Sequence, residues 1–178
     1  MNVFIINGSP RKDGNSYFIA EKLLEKYEGA EFIHLNDLTY KGCQSCYQCR
    51  KNESFCVVKD DLGEILPKLV NADLIILITP NYYGQVSGQV KLFLDRWYCL
   101  KNSKRVSKMK QGAKLFFVVT QGAPNRDYAN NMVNWAKKVF EGFNLKFYGY
   151  VVPGCHSDNV EVAKIKIDDM KMHLNMFV

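Results

Sequence analysis

Four of the six cysteines are crowded into one short segment, with the spacing Cys43-x2-Cys46-x2-Cys49-x6-Cys56. Cysteine thiolates are the ligands of iron–sulfur clusters and of many structural zinc sites. Because a tight loop can turn successive sulfurs toward separate irons, this spacing, with its more distant fourth cysteine, suits a four-iron cluster. In a chain of the cytoplasm, such clustering indicates metal or redox chemistry before disulfide bonds.

Spacing alone leaves three states of this segment open. The four thiolates can complete a [4Fe-4S] cluster, hold a zinc ion tetrahedrally, or remain free thiols in a loop near a cofactor. Cys99 and Cys155 stand apart and are expected to be small buried or half-buried hydrophobic residues. The three histidines are isolated in the sequence, and none is assigned as a ligand or a base: His34, His156 and His173.

A polar loop follows the first apolar run of the chain. Residues 8–16 read Gly-Ser-Pro-Arg-Lys-Asp-Gly-Asn-Ser and lead directly into a predicted helix. Backbone N–H groups and serine hydroxyls would converge there, where the helix dipole favours an anion. The loop matches neither the Gly-x-Gly-x-x-Gly pattern nor a Walker loop, which disfavours a Rossmann NAD site and an NTPase. It predicts a phosphate cradle, with a plain capped turn as the alternative.

Two further loops suit a flat ring. Residues 79–88 read Thr-Pro-Asn-Tyr-Tyr-Gly-Gln-Val-Ser-Gly, in which adjacent tyrosines offer planar, partly polar surfaces, although they can equally be core or interface aromatics. Residues 120–124, Thr-Gln-Gly-Ala-Pro, form a third polar turn. A phosphate loop with two ring-binding loops describes a mononucleotide with a large ring system, for which FMN is the best candidate.

Strands that alternate with helices must position these loops. The central strand, residues 74–78, is continuously apolar, as a parallel strand covered on both faces must be. We therefore predict an α/β fold with a doubly wound five-stranded parallel sheet, strand order 2-1-3-4-5, and helices on both faces. Strands are expected at residues 2–6, 31–35, 74–78, 114–120 and 145–152. Helices are expected at residues 16–27, about 60–70, after Ser87, around 133–140 and at 158–176, where the pattern is ambiguous.

The composition predicts one domain, residues 1–178, with a cysteine-rich insertion at about residues 40–60. The chain is 47% hydrophobic and 24% charged, which excludes disordered and collagen-like classes. A net charge of +6 does not indicate a nucleic-acid partner, and the basic stretch at residues 101–114 is either a solvated loop or a landing surface for NADPH. No segment suits a signal peptide or membrane span, so we expect a cytoplasmic protein without membrane contact.

Three motifs, taken in order, resemble the NADPH-dependent FMN reductase family over about residues 2–152: the loop at 8–16, the run at 79–96 and the Thr-Gln-Gly turn. The resemblance implies a flavodoxin-like fold and a homodimer or higher homo-oligomer with FMN near the subunit interface. It implies that the FMN phosphate is held by Ser9, Arg11, Gly14, Asn15 and Ser16. It also implies that the isoalloxazine is framed by Pro80, Asn81, Tyr82, Tyr83, Gly84, Thr120, Gln121 and Gly122.

The cysteine segment resembles the cluster motif of the iron-sulfur flavoproteins, a branch of this family with a [4Fe-4S] centre. Other similar proteins keep such cysteines before an Asp-Asp pair, here Asp60-Asp61, without a cluster. The leading hypothesis is an FMN-dependent NAD(P)H oxidoreductase that reduces a quinone, a flavin or another small acceptor. The alternatives are an electron carrier that exchanges electrons with ferredoxin and a metal-binding structural module. Because the cofactor carries the chemistry, no catalytic side chain is assigned.

Overall fold

The structure, a computed structural model, describes residues 1–178 and contains one five-stranded sheet. All strands are parallel and lie in the order β2-β1-β3-β4-β5, which confirms the predicted doubly wound, flavodoxin-like α/β fold. The strands are β1 (Val3–Asn7), β2 (Glu31–His34), β3 (Leu74–Pro80), β4 (Lys114–Thr120) and β5 (Lys146–Val152). The helices are α1 (Asn15–Leu24), α2 (Gln48–Lys51), α3 (Asp61–Leu69), α4 (Gly88–Arg96), α5 (Asn130–Glu141) and α6 (Glu161–Phe177).

The sheet is buried on both faces because successive side chains of a strand point to opposite sides. On one face, Ile75 and Leu77 of β3 pack in a core that includes residues of α3, α4 and α5. On the other face, Leu74 and Ile76 pack in a core with residues of α1 and α6. This two-sided burial explains why β3 is apolar throughout rather than alternating.

The C-terminal helix resolves the one ambiguous element in favour of a helix. Its buried residues, Ala163, Ile167, Met170 and Leu174, recur every three or four positions, which places them on one face against the sheet. Helix α1 ends at Leu24, before the predicted position, although the Tyr27 N–H still bonds to the Leu23 carbonyl. None of the helices is both long enough and apolar enough to cross a membrane.

Helix α3 begins at the predicted place but without a side-chain cap. Asp60 occupies the cap position, yet its carboxylate makes no capping hydrogen bond. It instead pairs with Arg96 of α4, with 2.6 Å between Nη1 and Oδ2. A buried guanidinium competes for the carboxylate more strongly than a backbone amide does, because the bond is charge-assisted on both sides.

Gly8 allows the first loop to approach helix α4 closely. The Ser87 hydroxyl donates to the Gly8 carbonyl at 2.6 Å and also accepts the N-terminal N–H of Val90 at 3.2 Å, confirming Ser87 as the cap of α4. A Cβ atom on Gly8 would lie 2.0 Å from Cγ2 of Val90. Only glycine fits this position without moving the helix.

We predict that Gly8→Ala lowers the free energy of unfolding by about 1–3 kcal/mol, the usual cost of overpacking. Urea unfolding of Gly8→Ala, Val90→Ala and the double variant provides the check. The double variant is expected to be more stable than the sum of the two single effects predicts, because shortening Val90 removes the clash. Additive effects would show that Gly8 and Val90 do not collide.

Candidate functional site

A polar cleft lies at the carboxyl end of the sheet, where four strands deliver their loops. It offers about 280 Å³ of space, just below the range of roughly 300–1,000 Å³ that is typical of small-molecule sites. Its lining comes from the loops after β1, β3, β4 and β5. The lining residues are Ser9, Arg11, Gly14, Asn15, Ser16, Pro80, Asn81, Tyr82, Thr120, Gln121, Gly122, Cys155, His156 and Ser157.

The structure brings together all of the predicted cofactor residues except Tyr83 and Gly84. These two continue the same turn, which is closed by hydrogen bonds between Tyr82 and Gln85. The Tyr83 side chain is fully exposed, and its backbone is in the left-handed region with φ of 52°. Tyr83 therefore does not line the cleft, whereas Tyr82 lines it and is 44% exposed.

The loop between β1 and α1 is held in shape by short-range side-chain hydrogen bonds. The Ser9 hydroxyl accepts the Arg11 backbone N–H at 3.2 Å, and Asn7 Oδ1 accepts the Ser9 N–H at 3.1 Å. Helix α1 follows Gly14 and has no acidic residue in its first turn, so nothing in that turn opposes an anion at its positive end. Such a helix terminus with convergent donors suits a phosphate group.

Two predicted phosphate ligands also hold another loop in place. Asn15 Nδ2 donates to the carbonyls of His156 and Asn159 at 2.9 and 3.0 Å, and Arg11 donates to the Ser157 carbonyl. Asn15 is 6% exposed, and its Oδ1 has no partner in the chain. Arg11 and Asn15 thus fix the segment after β5 as a wall of the cleft.

That wall was missed by the sequence analysis. We considered the loops after β1, β3 and β4, but the same carboxyl-end rule applies to β5 and would have pointed to residues 155–157. Cys155 is half-buried, as expected, but it also lines the cleft. Burial raises the pKa of its thiol to about 11, so it is uncharged near neutral pH.

Amide side chains connect the loops after β3 and β4. Asn81 Nδ2 donates to Gln121 Oε1 at 3.1 Å, and Asn81 Oδ1 accepts the Gly84 N–H at 2.9 Å. The hydroxyls of Ser16 and Thr120 lie 2.8 Å apart, which joins the phosphate loop to the loop after β4. These bonds connect three loops into one preorganised polar frame.

The basic stretch at residues 101–114 is largely tied to the protein itself. Lys108 Nζ donates to the Ser54 carbonyl at 2.9 Å, and Lys110 forms an ion pair with Asp73 at 2.5 Å. These contacts favour a structural role for this stretch over a landing surface for a cofactor.

All four clustered cysteines line a second cavity, which we call the cysteine pocket. It is lined by Cys43, Gln44, Ser45, Cys46, Tyr47, Cys49, Cys56, Val57, Val58 and Tyr98. The backbones of Ser45 and Tyr47 are left-handed, with φ of 53° and 56°, which turns the chain sharply between successive cysteines. Burial and the neighbouring Cys56 raise the pKa of Cys49. No three Cys, His, Asp or Glu side chains of the chain converge tightly enough to hold a single metal ion.

Arg96 closes the base of the segment that carries this pocket. Its buried guanidinium bonds to both carboxylate oxygens of Asp60, at 2.6 and 3.1 Å, and to the Lys41 carbonyl at 2.9 Å. Burial opposes the charge of Arg96, but Asp60 and the nearby Cys56 sulfur outweigh it and raise its pKa. Burial likewise opposes the charge of Asp60, and the hydrogen bond from Arg96 lowers its pKa below the usual value.

A profile of one protein family, NADPH-dependent FMN reductase, matches residues 1–146 of the chain. The chain belongs to this family. Its relatives include an iron-sulfur flavoprotein of Archaeoglobus fulgidus, 37% identical over 130 residues, which are 70% of this chain and 61% of that protein. YwqN of Bacillus subtilis, provisionally named an NAD(P)H-dependent FMN-containing oxidoreductase, is 28% identical over 155 residues, covering 85% of this chain and 84% of YwqN.

Among solved structures, the chain shares its fold with the FMN-dependent NADH-azoreductase of Bacillus anthracis in complex with FMN. The TM-score is 0.75 at 15% identity, and 99% of each chain is covered. The match to the iron-sulfur flavoproteins is shorter, since the aligned region spans about half to three-fifths of their length, 51% and 61% in two of them.

We predict that Asp60→Asn lowers the free energy of unfolding by about 3–5 kcal/mol near neutral pH, because it leaves the buried Arg96 charge unpaired. Since folding lowers the pKa of Asp60, its contribution is present above the ordinary aspartate pKa of about 3.9 and is lost as the pH falls through the lower folded value. Denaturant unfolding between pH 3 and pH 7 measures both effects.

Asp95→Asn is the matched control for this prediction. Asp95 precedes Arg96 on the same helix and forms an exposed pair with Lys91, so its replacement should cost only about 0.3–0.5 kcal/mol. Equal effects of the two substitutions would contradict a special role of the buried pair.

Proposed function

We propose that this chain binds FMN in the polar cleft and transfers electrons from NAD(P)H to a small acceptor such as a quinone or a flavin. The observation that carries the proposal is the convergence of a phosphate cradle and a polar ring frame in one cleft at the carboxyl edge of the sheet. Bound FMN supplies the redox chemistry, since it takes a hydride and passes the electrons on.

The phosphate end of the cofactor fits the loop between β1 and α1. The α1 terminus offers backbone donors, and the hydroxyls of Ser9 and Ser16 face the same cleft. Arg11 adds a positive charge at its rim, although its guanidinium also contacts Asp13 at 3.0 Å. A phosphate would thus meet donors from the helix end and from side chains, as anion sites require.

The ring end fits the loops after β3 and β4. Asn81, Gln121 and the neighbouring backbone offer hydrogen-bond donors and acceptors, which an isoalloxazine needs along its polar edge. Tyr82 offers a flat surface for the ring system. The residues of this chain therefore bind and orient, and no side chain is required as an acid, base or nucleophile.

We also propose that the protein is cytoplasmic and forms a homodimer. Tyr83, fully exposed beside the cleft, is the kind of aromatic anchor that subunit interfaces bury. A second subunit would place this ring near the cofactor of its partner.

The deciding experiment is titration of the purified chain with FMN, followed by anaerobic addition of NADPH or NADH. We expect stoichiometric FMN binding, bleaching of the oxidised flavin band by the nicotinamide, and steady oxidation of that nicotinamide once a quinone is added. Absence of FMN binding would falsify the proposal. Bound metal without flavin would favour the metal-binding structural module instead.

The variant Ser9→Ala/Ser16→Ala tests the phosphate cradle with a matched ligand control. We expect FMN affinity to fall roughly tenfold for each hydroxyl that donates to the phosphate. Riboflavin lacks the phosphate, so its affinity should not change. An equal loss for both ligands, measured by flavin fluorescence, would locate the phosphate elsewhere.

A second candidate function is an iron-sulfur flavoprotein that carries both FMN and a [4Fe-4S] cluster and exchanges electrons with ferredoxin. The four cysteines line one pocket, yet no three of them converge as a single ion would require. Each ligand of a four-iron cluster binds a different iron, so separated sulfurs around one cavity suit a cluster better than one zinc ion. Several relatives of this chain carry the name iron-sulfur flavoprotein.

We predict that Cys46→Ser removes most of the iron from anaerobically reconstituted protein while FMN remains bound, because one cluster ligand is lost. Iron, acid-labile sulfide and flavin are quantified on the same sample. Cys155→Ser is the control, since Cys155 lines the other cavity and should leave iron content unchanged. Equal iron in Cys46→Ser and wild type would exclude Cys46 as a ligand.

A further inference from the structure

Both ends of the segment that carries the cysteines are hydrogen-bonded to one side chain, that of Arg96. Lys41 lies before the first cysteine, and Val58 and Asp60 lie after the last one. Arg96 bonds to all three: to the Lys41 carbonyl at 2.9 Å, to the Val58 carbonyl at 3.5 Å and to the Asp60 carboxylate. One guanidinium therefore fixes the entrance and exit of the segment.

This guanidinium has one donor left over. The Arg96 side chain is fully buried, and the bonds to Lys41, Val58 and Asp60 use its two terminal nitrogens. Its Nε–H has no hydrogen-bond partner. A buried donor without a partner is costly, by about 1–3 kcal/mol, and more when the group is charged. Cys56, the fourth cysteine of the pocket, lies two residues before Val58, whose carbonyl bonds to Arg96, and the Cys56 sulfur contributes to the raised pKa of Arg96.

A thiol is a weak acceptor, whereas a metal-bound thiolate is a much better one because it carries negative charge. Hydrogen bonds to the ligand sulfurs and nearby charges also set the reduction potential of an iron–sulfur cluster. The leftover donor therefore gains a strong, charged acceptor when Cys56 is a metal ligand.

We propose that Arg96 is the positioning residue of the cysteine pocket: it fixes Cys56 as a ligand and donates its Nε–H to that sulfur in the cluster-bound protein. This inference rests on the second candidate function, the iron–sulfur flavoprotein. Arg96 lies in α4, outside the cysteine segment, and in this proposal it controls the reduction potential of the cluster.

Helix α4 also relates the cysteine pocket to the flavin cleft. The helix begins at Ser87, which bonds to Gly8 of the phosphate loop, and ends with Arg96. Its nine residues span about 14 Å at 1.5 Å per residue. The same rigid element thus sets the positions of both sites, which keeps their separation constant.

The test uses full-length protein reconstituted anaerobically with ferrous iron and sulfide. Arg96→Lys keeps the charge beside Asp60 but lacks the Nε–H donor. Asp60→Asn keeps the donor and leaves the positive charge uncompensated. Arg50→Lys is the control, since Arg50 lies in the cysteine segment but bonds to the Asn102 carbonyl. Iron content, the cluster's midpoint potential and Trp97 fluorescence, which reports packing beside Arg96, are measured for each protein.

We expect the midpoint potential to become more negative in Arg96→Lys, more positive in Asp60→Asn, and unchanged in Arg50→Lys. A merely structural role would lower iron content without moving the potential of the remaining cluster, and that result would overturn the inference. If Arg96→Lys does not fold, an unchanged midpoint potential in Asp60→Asn would overturn the inference instead. Failure of the wild-type protein to assemble a cluster would also overturn the inference. FMN binding in that same sample would leave the flavin proposal intact.

Discussion

The Ser87 side chain joins the elements on which the rest of the structure depends. Its hydroxyl donates to the carbonyl of Gly8, its backbone N–H bonds to Thr79 Oγ1, and the same hydroxyl caps helix α4. The ends of β1 and β3 and the start of α4 are thereby fixed to one another in a fully buried location. Parallel strands satisfy their backbone groups within the sheet, so free polar groups gather at the strand ends. The hydrogen bonds of Ser87 fix how two of those strand ends are arranged.

Two cavities of opposite character follow from that arrangement. The cleft above the sheet is lined almost wholly by polar side chains and backbone, which suits a phosphate-bearing ligand. The cysteine pocket is lined mainly by apolar and sulfur-bearing residues, a lining that suits a thiolate-bound metal group. The charged groups that close the base of the cysteine segment, Arg96 and Asp60, are paired with each other, so the fold holds them in the interior without a free charge.

The sequence predicted those features that depend on local pattern. Continuous apolar runs identified β3 and β4, helical periodicity identified the helices, and the carboxyl-end rule brought distant loops to one cleft. What it missed depends on contacts that no local pattern records. Asn15 bonds to the His156 carbonyl 141 residues away, and Asp60 found a partner 36 residues away in Arg96 instead of capping its own helix. Tertiary packing decides which groups from distant parts of the chain become hydrogen-bond partners. Composition and spacing do not record that packing.

The closed base of the cysteine segment explains how one scaffold can serve with or without a metal group. Because Arg96 and Asp60 fasten both ends of residues 41–60, changes within the loop need not disturb the sheet or the polar cleft. Left-handed backbone at Ser45 and Tyr47 costs on the order of 1–2 kcal/mol per residue, and such strain persists only where surrounding contacts over-determine it. The two left-handed residues flank Cys46, so the strained backbone turns the chain between successive cysteines of the pocket.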